Sequence, residues 1–287
     1  MLELKPVLAQ QSMVIPTHYP VMVIGGAEDK VNGCAILNAF FNSAGGKMAT
    51  IGVIPCASQE PSVVGDRYYQ IFKGMGATQV QILDIRQPQE CDEERWLDVL
   101  SNCTGVFLTG GDQLRLRDLI GGSQFMTSIK QRIAIDNLVL AGTSAGAAIV
   151  GEKMISGGSS GDSPSQSLVD LTTGLGIFPD LLVDQHFHNR NRMARLMSAI
   201  AAHPDKLGVG IDEDTCAAFE DDSTFEVIGK GTITIIDPGK LTHTNYLASG
   251  QSSPLSLHNL TVHILSQGDR YNYQQRVVLP APVMPRR

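Results

Sequence analysis

Short apolar runs recur along the first half of the chain, at residues 21–26, 48–55, 79–85, 105–111 and 137–142, and each ends in turn residues. Runs of this length bounded by turns predict strands, since buried helices need about 10–12 residues or more. Between them lie helix-length segments at residues 34–41, 67–75, 92–100 and 124–135. Alternating strand and helix implies parallel strands joined by right-handed crossovers, with helices on both faces of the sheet.

A second set follows at residues 181–187 and 206–212, separated by a helix from about 191 to 202. In that helix Met193, Leu196, Met197, Ile200 and Ala201 repeat at the spacing of one buried stripe. After Glu213 the runs are short and alternating, joined by Gly, Pro and Asn turns, and they predict antiparallel strands at the far edge of the sheet. The expected fold is α/β, a mostly parallel, doubly wound sheet with an antiparallel C-terminal edge.

Composition narrows the classes. The 29 glycines and 14 prolines fall between the apolar runs, not in one linker, so a single catalytic domain is expected over residues 21–287, preceded by an N-terminal arm over 1–20. The low-complexity stretch 156–167 reads as an active-site loop. With 43% hydrophobic and 18% charged residues, a net charge of −7 and scattered Lys and Arg, the chain fits a globular protein with neither a membrane span nor a nucleic-acid partner. The first 20 residues carry no signal-peptide core, which points to the cytoplasm. Five cysteines without a C-x-x-C pattern predict reduced, mostly buried thiols and no metal site.

One motif carries chemistry. Residues 142–146 read Gly-Thr-Ser-Ala-Gly, after an apolar strand and before a run of small residues. Strand, sharp turn and helix form the setting of a nucleophile elbow, which would project the Ser144 hydroxyl from the end of the sheet. The N–H of Ala145 would then face a tetrahedral oxyanion, with the N–H of Gly111, in the Thr109–Gln113 loop, as second donor.

A serine hydroxyl needs a base. His186 is the strongest of seven histidines, because it ends a predicted strand at the edge where α/β sites gather. His188 alternates with it and would face the other way. The orienting acid is sought in Asp212, Glu213 and Asp214, which end the next strand, and spacing leaves the choice among them open. The chain order Ser, His, acid differs from the α/β-hydrolase order, which would pair Ser144 with Asp237 and with His258 or His263 in the antiparallel tail. The Gly-rich turn 25–30 lacks the spacing of a nucleotide-binding loop and reads as a first strand-to-helix turn bordering the site.

Taken together, residues 25–30, 107–116, 142–148, 184–196 and 210–214 resemble the cyanophycinases, from about Val21 onward. The resemblance implies the peptidase E type of serine hydrolase, with a fold like that of class I glutamine amidotransferases. It implies a homodimer that needs neither metal nor organic cofactor. Such enzymes cut cyanophycin, a polyaspartate bearing an arginine on each β-carboxyl, into β-Asp-Arg dipeptides. Carried over residue by residue, it implies Ser144 as nucleophile, His186 as base, Glu213 as orienting acid, and Gly111 and Ala145 as oxyanion donors. Gln113, Asp184, Gln185, Arg190, Arg192 and Arg195 would surround the substrate, although i and i+2 diverge on a helix, so at least one arginine is expected to be structural. Asn189 stands where the family has the longer Gln. Two other readings keep the motif: a peptidase E-like dipeptidase acting on Asp-X peptides, and a non-catalytic relative that binds acidic or arginine-rich peptides.

Overall fold

The computed structural model describes residues 18–280; the N-terminal arm expected over 1–20 lies, apart from 18–20, outside them. The first half alternates as β1 (Val21–Ile24), α1 (Ala35–Ser43), β2 (Thr50–Ile54), α2 (Pro61–Met75), β3 (Gln79–Ile82), α3 (Glu94–Asn102), β4 (Gly105–Leu108), α4 (Gln113–Ile120), α5 (Gln124–Ile135) and β5 (Val139–Thr143). Then come α6 (Ala145–Ala148), the hairpin β6 (Lys153–Gly158) and β7 (Val169–Thr173), β8 (Leu181–Gln185), α7 (Met193–Ala202) and β9 (Leu207–Ile211). The tail contributes β10 (Thr215–Phe219), β11 (Thr224–Gly229), β12 (Ile233–Asp237), β13 (His243–Thr244), β14 (Leu257–His258), β15 (Thr261–Leu265), β16 (Arg270–Asn272) and β17 (Val277–Leu279).

Strands β3, β2, β4, β5 and β1 lie side by side and parallel, as the alternating pattern predicts. The free edge of β1 takes β10 antiparallel, and β11, β16 and β17 continue outward. Both faces of the parallel strands are apolar because both are covered. Val106 and Leu108 pack with Leu116, Phe125 and Ile129 of α4 and α5. Phe107 points the other way, to Phe40 of α1 and Phe72 of α2, with ring centroids 5.4 and 5.5 Å apart. Two helices start where a side chain caps them: Asp112 accepts from the Arg115 N–H at 3.0 Å and Ser123 from the Met126 N–H at 3.0 Å, each contact stabilising by about 1 kcal/mol.

The sheet predicted to run on through residues 181–187 and 206–212 divides instead. β8 and β9 pair parallel and, with β12 and β15, form a second, four-stranded sheet. Val183, Val209, Ile211, Ile233 and Ile235 of this sheet pack against Val21, Val23, Ala217 and Val227 of the first. Its other face is covered by α7 and the β6–β7 hairpin, through Leu182, Leu196, Ile200, Ile236, Ile155 and Val169. Contact on two sides explains why α7 buries more than one stripe, Ala194, Arg195 and Ser198 included.

Candidate active site

Ser144 follows β5 and opens α6, with φ 53° and ψ −106°. A non-glycine residue held there stores strain of about 1–3 kcal/mol, which persists only where the surroundings determine it. Here they do: the Ser144 N–H donates to the Ile24 carbonyl at 3.0 Å, and the Ala147 and Ala148 N–H groups reach back to the Ser144 carbonyl. The elbow turns the hydroxyl away from the strand. Its oxygen lies 3.0 Å from Nε2 of His186 and 3.4 Å from Oε1 of Gln185, so the imidazole contact is the stronger.

His186 follows β8, also with positive φ, 49°. Its Nδ1 lies 2.6 Å from Oε1 of Glu213, just past the end of the neighbouring β9. A carboxylate there holds the proton on Nδ1 and turns the Nε2 lone pair toward the hydroxyl. Burial pushes the imidazole below the ordinary histidine range; the bond to Glu213 opposes this, while the guanidinium charges of Arg190 and Arg192 lower it further. At neutral pH the ring is therefore neutral, as an acceptor must be.

The three adjacent acids have three different neighbourhoods. Asp212 accepts from the His188 N–H at 2.9 Å, the Thr232 N–H at 3.0 Å and the Thr232 hydroxyl at 2.8 Å, and it meets the His188 ring at 3.1 Å. Burial raises its pKa, but these bonds outweigh burial and hold it below the usual carboxylate value. Asp214 pairs with Lys230 at 2.8 Å and accepts from the Asp29 N–H at 2.7 Å. Of the three, only Glu213 meets His186. Asn189, which the sequence left without a task, accepts the Glu213 N–H at 3.0 Å through Oδ1.

Gly110 passes in front of Ser144, where a Cβ on it would stand 3.2 Å from that of Ser144, and the next residue, Gly111, runs against the backbone of Ala57 and Ser58. Gly111 has φ 147° and borders an open cleft of about 450 Å³ with Ala57, Gln59, Asp112, Gln113 and Ser156. The Gln113 amide donates to the Ser156 carbonyl at 2.7 Å, tying α4 to the hairpin. From the hairpin loop, Ser160 donates to the Arg190 carbonyl.

The charged residues behind the site sort by burial. Asp184 is 1% exposed and binds Arg195 through both oxygens, at 2.9 Å from Nε, and Arg192 at 3.4 Å. Arg192 also donates to the Gln185 carbonyl, and burial lowers its guanidinium to about 10 despite the neighbouring Asp184. Arg190 is exposed, with no hydrogen-bond or ion-pair partner for its guanidinium among the described residues.

The alternative pairing with the tail does not assemble. Asp237 is bound by Arg276 at 2.7 Å, His258 lies against His243, and His263 lies against Tyr271. All five cysteines are free, and four are buried. Among the described residues no group of three or more His, Cys, Asp or Glu is placed to hold a metal ion, and no helix is long and apolar enough to cross a membrane.

Comparison with known proteins points the same way. The model of peptidase family S51 matches residues 21–227. A protein of Trichormus variabilis named cyanophycinase is 57% identical over 265 residues, 92% of this chain and 89% of its own. One of Geminocystis herdmanii with the same name is 54% identical over 252 residues, 88% and 93% of the two chains. The crystal structure of a peptidase from an acI-B1 actinobacterium superposes with a TM-score of 0.65 over 88% of this chain and 96% of its own, at 16% identity, and so shares the fold.

Proposed function

The chain belongs to peptidase family S51, and we propose that it is a serine-type exopeptidase that hydrolyses cyanophycin to β-Asp-Arg dipeptides. The observation that carries this reading is the unbroken line from the Ser144 hydroxyl, through Nε2 and Nδ1 of His186, to the Glu213 carboxylate. Ser144 Oγ attacks a backbone carbonyl of the polymer while Nε2 takes its proton. The oxyanion is met by the N–H groups of Ala145 and Gly111. His186 then protonates the leaving amine, and water cleaves the ester on Ser144 by the same steps reversed.

Arg190, exposed and unpaired among the described residues, is the arginine available to a substrate carboxylate. Gln185 lies beside the nucleophile, and Gln113 walls the cleft next to Gly111. Asp184, Arg192 and Arg195 act from behind as a buried brace for the strand that carries His186. The reading includes a homodimer in the cytoplasm with no nucleic-acid partner, and sedimentation of the purified chain tests the dimer.

The test is mass spectrometry of soluble products after incubating insoluble cyanophycin with the protein and with its Ser144→Ala variant. The expected outcome is β-Asp-Arg from the unaltered chain alone. No product from a folded sample overturns the reading, and cleavage of short α-Asp dipeptides instead would make the chain a dipeptidase.

A further inference from the structure

The end of β1 and the turn Gly25-Gly26-Ala27-Glu28-Asp29-Lys30 after it take no part in the chemistry above, yet three residues at or beside the site hang from them. Successive carbonyls of Ile24, Gly25 and Gly26 accept in order from the N–H groups of Ser144 at 3.0 Å, His186 at 2.8 Å and Asp214 at 2.9 Å. All three donors have positive φ, 53°, 49° and 48°. So the one segment joins β5 of the first sheet to the ends of β8 and β9 in the second, and holds in place three residues whose own backbones would favour another conformation.

The same turn meets the imidazole directly. A Cβ on Gly26 would stand 2.5 Å from Nε2 of His186, closer than real Cβ atoms come to a neighbour, and 3.1 Å from Nδ1, a tight contact. The ring therefore packs closely against the bare backbone of Gly26. The turn is held from below: buried Glu28 accepts from the Thr143 hydroxyl at 2.6 Å and from Tyr68, and pairs with Lys30 at 2.9 Å, while the Asp29 N–H binds Asp214.

Resting on the triad reading above, we infer that Gly26 is a positioning residue for His186, a backbone stop that sets how close Nε2 comes to the Ser144 hydroxyl. A side chain there moves the ring without touching substrate. Misplacing a reacting group by about an ångström costs on the order of 100-fold in rate.

The experiment compares Gly26→Ala with Gly33→Ala. Gly33 has nearly the same φ, 103° against 100°, but open space where a Cβ would go, so it controls for a side chain at positive φ without the contact. Two quantities are read: the rate at which a fluorophosphonate labels Ser144, and kcat and KM on cyanophycin. Expected for Gly26→Ala is labelling and kcat lowered on the order of 100-fold with KM within about threefold, and for Gly33→Ala wild-type behaviour. Equal effects of the two substitutions overturn the inference. If Gly26→Ala fails to fold, Gly26→Ala/His186→Ala is made: recovery of folding when the ring is removed supports the contact, and continued failure overturns it. A wild-type chain that labels but leaves the polymer intact would count against the substrate reading alone, and one that does not label against the triad itself.

Discussion

The Ser144 hydroxyl and the His186 imidazole meet at 3.0 Å although their strands belong to different sheets. β5 is bonded to β1 and β4 in the large sheet, β8 to β9 in the small one. The pair exists because the end of β1 reaches across to both, and because the carboxylate on the far side of the imidazole comes from the strand next to β8.

That arrangement ranks the three neighbouring acids. Glu213→Gln keeps the shape but removes the charge that fixes the imidazole, and is expected to lower kcat by about 10³–10⁴-fold with little change in melting temperature. Asp212→Asn instead weakens bonds to Thr232 and His188, and is expected to cost about 1–3 kcal/mol of stability while keeping much more of kcat. Steady-state rates and thermal melts of both variants decide it, and the reverse ranking would reject Glu213.

The pH dependence has a definite sign. With His186 as the proposed base, activity needs its neutral form, so kcat/KM is expected to fall as pH drops through the histidine's pKa, which burial and the two arginines place below 6.5. Arg190→Ala removes one of the charges that favour the neutral ring. The pKa rises and the acid limb moves to higher pH. Profiles of kcat/KM that superpose for the two proteins, or a shift the other way, would contradict this.

Buried and exposed arginines should respond differently to mutation. Asp184→Asn strips the shared counter-charge from Arg192 and Arg195 and is expected to destabilise the fold by about 3–5 kcal/mol. Arg190→Ala is expected to stay within about 0.5 kcal/mol. Urea unfolding midpoints measure both, and similar midpoints would mean that the buried brace bears no weight.

Gly111→Ala tests the second oxyanion donor proposed above. Its Cβ would stand 2.7 Å from the Ser58 nitrogen and run into the Ala57 carbonyl, so the loop must shift. The expected cost is about 10²–10³-fold in kcat, read from steady-state kinetics. A kcat within about threefold of wild type would transfer the role to the N–H of Gly110.

Much of this was legible in the sequence, because strand ends follow from apolar runs bounded by turns. The segments read at 21–26, 48–55, 79–85 and 105–111 contain β1 to β4, the one at 137–142 covers β5 except Thr143, and the helix read at 124–135 is α5. The start of α2 at Pro61 is not legible, since Val63, Val64 and Gly65 are poor helix formers, and α4 is short, with Asp112 as its one clear cap signal. The split into two sheets was not legible, because a run such as 181–187 looks the same whichever sheet it joins. The hairpin within 153–173 is not legible either: the stretch read as a loop begins inside β6, with Ser156, Gly157 and Gly158 as its last residues.

Within the site, the elbow was legible from Gly-Thr-Ser-Ala-Gly, and the resemblance singled out Glu213 where spacing left three acids level. The task of Asn189 and the stop provided by Gly26 were not legible, since both depend on contacts between segments far apart in the chain. Of the three arginines, the i and i+2 divergence signalled that they could not act alike, and burial separates them.

Because hydroxyl and imidazole ride on separate sheets, joined by side-chain packing and by the few main-chain bonds of residues 24–26, turnover in the proposed reaction reports the registry of those sheets. A slip of the small sheet by the width of one atom leaves its own ladders whole, and leaves most of the apolar contact with Val21 and Val23 in place, but it parts the proton donor from its acceptor. On warming, turnover should therefore fade while circular dichroism is still that of the native chain, and return on cooling.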